Sequence, residues 1–177
     1  MANTTFSGPV RSKNGFQSIG PGAAIALTAA TDLTVAAHAG RLLTMDPVGT
    51  PTAITLPTIN ATADSAVAGA NDPNNPNTIG TTFEILFIDE FTGTISTDGT
   101  DKFVGSVMIG VNDGAKKAFV PAAANDVVNL NGEAGAGNAT TGGLIGSRIK
   151  FTATAENTYM VEGLLIGDGT IATPFGN

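Results

Sequence analysis

The chain has 177 residues, a length at which one domain can enclose a hydrophobic core, and only 13% are charged, about half the usual globular share, with a net charge of −7. It has no cysteine, which excludes disulfides and thiolate chemistry, and a single histidine, which leaves no multi-histidine metal centre. No apolar run approaches the roughly 20 residues of a membrane-spanning helix, and the composition is neither polar nor charged enough for disorder, so a folded chain is expected.

Residues 1–22 differ from the rest of the chain. They carry Arg11 and Lys13 and no acid, net +2, whereas residues 23–177 hold six basic and fifteen acidic side chains, net −9. Gly8-Pro9, Asn14-Gly15 and Gly20-Pro21 are turn signals that rule out a helix. The segment reads as an extended arm with apolar anchors at Phe6, Val10, Phe16 and Ile19. No charged and then apolar stretch opens the chain, so no signal peptide is expected, and the protein is expected to be made and to assemble in a cytoplasm.

After the arm, short strands come at close spacing. Ala24 to Leu27, Leu33 to Val35, Arg41 to Met45 and Ala53 to Leu56 are the first candidates. Thr81 to Ile88 is the clearest, with Phe83, Ile85 and Phe87 on one face at period two. Thr94 to Ser96 and Lys102 to Ile109 flank Thr97-Asp98-Gly99-Thr100, which reads as an Asp-Gly hairpin turn. Ala118 to Val120 and Val127 to Leu130 come next. Arg148 to Ala153 and Thr158 to Leu165 close the series, with a hairpin expected at Glu156-Asn157. Helical patterning is poor. Its best stretch, Thr34 to Leu43, is interrupted by Gly40. The pattern predicts an all-β fold, a β-sandwich or jelly-roll-like barrel formed by residues 23–177 as one domain, with the extended N-terminal arm before it.

Two long loops, Ile59 to Gly80 and the Gly/Ala/Asn/Thr stretch Gly132 to Gly143, stand out. Ordering each glycine-rich residue costs about 1–2 kcal/mol of backbone entropy, and Ala and Thr return little burial. These loops are expected to be mobile or held by neighbouring subunits.

The residues that carry chemistry are sparse. His38, in Ala36-Ala37-His38-Ala39-Gly40, can act as a lone base, but it reads better as a surface or interface histidine. Asp89-Glu90, the Asp98/Asp101 pair and Asp113 offer carboxylates for glycoside hydrolysis, yet a chain with no tryptophan and one tyrosine lacks the aromatic sugar platform. Calcium is the best metal candidate, at Asp98-Gly99-Thr100-Asp101 or near Asp72. Neither has the spacing of a calcium loop, and Asp and Asn side chains more simply serve turn geometry. Residues 132–146 lack the Gly-Lys-Ser/Thr ending of a phosphate loop. The acidic body, with Lys116-Lys117 as its only adjacent cations, argues against nucleic acid. No catalytic residue, metal, cofactor or membrane partner is expected.

Several short stretches resemble small virion proteins of tailed bacteriophages: Thr5-Phe6-Ser7-Gly8-Pro9-Val10 with Asn14-Gly15-Phe16, then Leu27-Thr28-Ala29, Gly40-Arg41-Leu42-Leu43, Ile54-Thr55-Leu56-Pro57, Thr82-Phe83-Glu84-Ile85 and Tyr159-Met160-Val161-Glu162-Gly163. Within that group the chain resembles the head decoration, or cement, proteins. The resemblance implies a non-enzymatic protein on the outer capsid surface, often a homotrimer, that clamps subunits of the major capsid protein together. Phe6, Val10, Arg11, Lys13, Phe16 and Ile19 are then the expected capsid- or subunit-binding residues. A tail or fibre component with a receptor- or sugar-binding role is the alternative. A small hydrolase built on His38 is a third reading.

Overall fold

The computed structural model describes residues 24–46, 52–61, 77–111, 114, 116–133 and 138–177. The expected arm, with Phe6, Val10, Arg11, Lys13, Phe16 and Ile19, lies outside the described residues, as do Asp72 and Asp113. The rest is an all-β sandwich, as the strand spacing predicts. A seven-stranded sheet, β1-β3-β5-β10-β11-β7-β8, faces a five-stranded sheet, β12-β9-β6-β4-β2. The larger sheet comprises β1 (Ala24–Leu27), β3 (Leu42–Met45), β5 (Thr82–Phe87), β7 (Lys102–Val111), β8 (Lys116–Phe119), β10 (Arg148–Ala155) and β11 (Thr158–Gly167). The smaller comprises β2 (Thr31–Asp32), β4 (Thr52–Thr55), β6 (Thr92–Ser96), β9 (Val127–Asn131) and β12 (Phe175–Gly176).

The first six strands alternate between the sheets. β1, β3 and β5 pair in parallel, as do β2, β4 and β6. Parallel neighbours need a crossover, and here each crossover passes through the opposite sheet. This arrangement corrects the hairpin expected at Thr97 to Thr100. β6 and β7 do not pair; the Asp-Gly turn carries the chain from the small sheet to the large one. The second expected hairpin is present. β10 and β11 pair antiparallel with Ala155 opposite Thr158, and Asn157 takes the left-handed conformation (φ 56°) that Asn tolerates.

Leu33 to Val35 is not a strand. After the short β2, Thr34 caps a single helical turn, α1 (Val35–His38), its Oγ1 accepting from the Ala37 N–H at 3.3 Å. Gly40, at φ +68°, then breaks the helix, and its N–H donates to the Thr82 carbonyl at 2.8 Å. The short alanine-rich stretch is helical for only one turn because no face of it is buried.

Side chains alternate along the long strands, with a break at Gly105 of β7 and a bulge between Ala153 and Ala155 of β10. Phe83, Ile85 and Phe87 of β5, Ile149 and Phe151 of β10, and Tyr159, Val161 and Leu165 of β11 are all buried between the sheets. They meet Ile54, Ile95, Val128 and Leu130 from the small sheet in one core. Phe103 and Phe151 stack tilted, with ring centroids 5.4 Å apart. At Gly93 of β6 a Cβ would run into the Thr52 carbonyl, so only glycine permits this approach of neighbouring strands.

The glycine-rich loop is expected to be mobile or held by neighbouring subunits; its described ends are held by the chain itself. The Gly132 N–H donates to the Phe91 carbonyl, and the Phe91 N–H donates to the Gly143 carbonyl, each at 2.9 Å. The Asp168 N–H donates to the Ala139 carbonyl at 2.9 Å, and Ala139 is fully buried. Residues 134–137 lie outside the described residues. The ends of the other long loop are also tied, through the Thr78 N–H to the Asn60 carbonyl at 2.9 Å and the Asn60 N–H to Thr78 Oγ1 at 2.7 Å.

Candidate functional site

Two regions concentrate polar or exposed side chains: the sheet-switching corner at Thr97 to Lys102, and the outer face of the seven-stranded sheet.

At the corner, Asp98 accepts from Thr58 Oγ1 at 2.8 Å and from the N–H groups of Thr100 and Asp101 at 2.9 and 3.2 Å. Burial pushes the Asp98 carboxyl up, but the Thr58 hydroxyl and these N–H groups outweigh it and hold it below its usual 3.8. Asp101 is fully buried. One of its oxygens accepts from the Ile59 N–H at 2.9 Å, and the other, Oδ1, has no hydrogen-bond partner. Burial raises the Asp101 carboxyl, against the pull of the Ile59 N–H, and the neighbouring Asp98 charge raises it further. Lys102 Nζ closes the corner on the Gly99 carbonyl at 2.6 Å and on Asp126. Tyr159 donates to the Pro57 carbonyl at 2.7 Å, and burial, with the charges of Asp101 and Asp98, lifts its hydroxyl above the usual range.

These contacts make the corner a structural joint. The Asp98 oxygens and Asp101 Oδ2 are turned to nearby N–H and hydroxyl groups, the turn-geometry role that Asp commonly takes. Among the described residues no three His, Cys, Asp or Glu side chains stand together to hold a metal ion. His38 is used locally: its Nδ1 accepts from the Thr34 N–H at 2.9 Å and completes the cap of α1. Asp89 accepts from the adjacent Glu90 N–H at 2.8 Å.

The outer face of the large sheet carries several large exposed apolar side chains, among them Val104, Met108 and Leu164. The registers set its side chains in rows. One row runs Leu86, Arg148, Leu164, Met108 across β5, β10, β11 and β7; the next runs Glu84, Lys150, Glu162, Ser106. Leu164 is 52% exposed and Met108 46%, values far from those of core residues. Gly110 places no side chain beside them. The resulting shallow hollow, about 480 Å³, is lined by Met108, Gly110, Lys116, Leu164 and Ile166. Arg148 Nε reaches Glu84 at 2.6 Å and Lys150 Nζ reaches Glu162 at 3.0 Å, so the charges on this face alternate and pair. The face lies on long, well-buried strands, and the sequence carries a signal for it: Glu84-Ile85-Leu86 and Leu164-Leu165-Ile166 place large apolar residues at positions of both parities. That signal shows a partly dry second face on single strands, without the neighbours that give the face a role.

No protein-family model, curated protein or solved structure matches this chain.

Proposed function

We propose that the chain is a decoration protein of a tailed-phage capsid, a non-enzymatic virion component that adheres to the major capsid protein from outside and bridges its subunits. The observation that carries this reading is the outer face of the large sheet. Leu164, Met108 and Val104 stand about half exposed on a rigid scaffold. Large apolar side chains kept at the surface gain their free energy only when another protein covers them. The polar clusters at Asp98/Asp101 and His38 serve local structure, which leaves adhesion as the better-supported activity. The resemblance of short stretches such as Thr82-Phe83-Glu84-Ile85 to small phage virion proteins points to the partner. In this reading Phe6, Val10, Phe16 and Ile19 anchor the arm, and Arg11 and Lys13 draw it towards acidic protein.

Quantitative mass spectrometry of purified virions tests the reading. A copy number matching that of the capsid subunits supports it. A copy number matching the few-fold symmetry of a tail assigns the protein to the tail, and absence from the particle rejects both. A Phe6→Ala/Phe16→Ala double variant is expected to lose capsid binding at least tenfold while keeping its thermal transition.

A further inference from the structure

We propose that two copies of this chain pack face to face through the outer surface of the seven-stranded sheet, about a two-fold axis running along the strands between β10 and β11. The proposal concerns the purified chain, where no capsid protein is present to cover this face and a second copy is its occupant; it does not rest on the capsid reading.

Charge comes first. The body carries net −9 and should repel its copies, but this face does not share that charge. Among the described residues of its strands, Arg148, Lys150 and Lys116 stand on it against Glu84 and Glu162. A second copy can approach here without the repulsion met elsewhere.

The registers then fix the axis. A two-fold along the strands between β10 and β11 lays β10 over the partner's β11 and β5 over its β7, with the rows kept level. Residues that share a row then face each other across the axis. Lys150 meets Glu162, Leu86 meets Met108, Thr152 meets Met160, and the stem of Arg148 lies over Leu164. The two Lys150–Glu162 pairs close into a square of alternating sign. A two-fold across the strands fails. It sets Glu84, Lys150 and Glu162 each against its own copy, or sets these charges against the leucine row.

The area is adequate. At about 3.4 Å per residue and about 4.8 Å between strands, β5, β10, β11, β7 and β8 present roughly 600 Å², the lower edge of what a stable dimer covers per partner. The hollow beside Gly110 gives the opposing face a place to seat side chains, as sheet-on-sheet packing requires.

Sedimentation velocity on the purified full-length chain is the first test. Expected is a concentration-dependent mass of two chains, falling to one chain in Lys150→Glu, which sets like charges against each other across the axis. A single-chain mass at all concentrations, a three-chain mass, or a two-chain mass untouched by Lys150→Glu would overturn the proposal. The second test does not depend on that variant. The chain has no cysteine of its own, so Leu86→Cys and Met108→Cys can be made singly and mixed. Across the proposed axis positions 86 and 108 face each other at about 10 Å, the spacing of stacked sheets. Like positions lie three further strands apart, about 14 Å sideways. A short bismaleimide is expected to link the mixture and neither variant alone. Equal linking in the single variants, or none in the mixture, overturns the axis. Both readouts are taken on purified protein, so their failure leaves the virion measurement independent.

Discussion

The two sheets bury similar inner faces but present different outer ones. On the small sheet, Thr92, Thr94 and Ser96 of β6 stand beside Asn131, Asn129 and Val127 of β9, and Ala53 and Thr55 of β4 beside Thr94 and Ser96. This surface is made of short hydroxyl and amide side chains that suit a strand and a water layer. On the large sheet the equivalent positions hold Leu86, Leu164, Met108 and Val104, interleaved with two ion pairs. Both surfaces satisfy the backbone equally, so strand formation does not require the large side chains. Under the proposed function, their presence on one sheet makes that sheet the side expected to meet other protein.

The largest expected effect should leave this difference untouched, because it acts on the shared inner layer. Phe151→Ala, at a fully buried position of β10, is expected to cost about 3–5 kcal/mol in urea denaturation, and Ile95→Ala of β6 about 2–5 kcal/mol. A loss below about 1 kcal/mol at either site would mean that the two inner faces do not form one packed core.

A second prediction concerns the joint between the sheets. Asp101 holds a raised pKa when folded, so the folded state binds its proton more tightly than the unfolded state does. Stability should therefore fall as pH rises from about the usual 3.8 through the raised folded value. Asp98 acts with the opposite sign. Its lowered folded pKa stabilises above 3.8 and is lost as pH falls below it. In Asp101→Asn the downward slope with rising pH is expected to flatten while the low-pH loss remains. Denaturation midpoints across that range check this; an unchanged slope would remove Asp101 from the joint.

The smallest stability effects should separate the outer faces most sharply. Leu164→Ser and Thr94→Ala are each expected to shift unfolding by no more than about 0.5 kcal/mol, since neither belongs to the core. Association should weaken in the first and stay unchanged in the second. Equal association in both variants would erase the distinction between the sheets.

Much of the architecture is legible in the sequence. Period-two alternation locates β5 and β10 within a residue or two, and Glu156-Asn157 marks its hairpin. Sheet membership is not legible. Asp98-Gly99 encodes a tight turn whether its flanking strands pair or part, and the partner of Lys102 Nζ, Asp126, lies 24 residues along the chain. The single turn of α1 is fixed by a cap and a glycine, which weigh little in a search for helical periodicity. The outer face escapes a reading of single strands because its rows come from β5, β10, β11 and β7, and only the cross-strand register assembles Leu86, Leu164 and Met108 into one surface.

Methionine oxidation tests most directly whether that surface is a working interface. Met108 is 46% exposed on it, whereas Met45 is fully buried in the core and serves as the internal reference. With dilute peroxide and peptide mass spectrometry, Met108 should oxidise quickly in dilute solution and become protected as the chain associates, with Met45 slow throughout. A Met108 rate that stays fast and constant from dilute protein to the assembled particle would contradict the account.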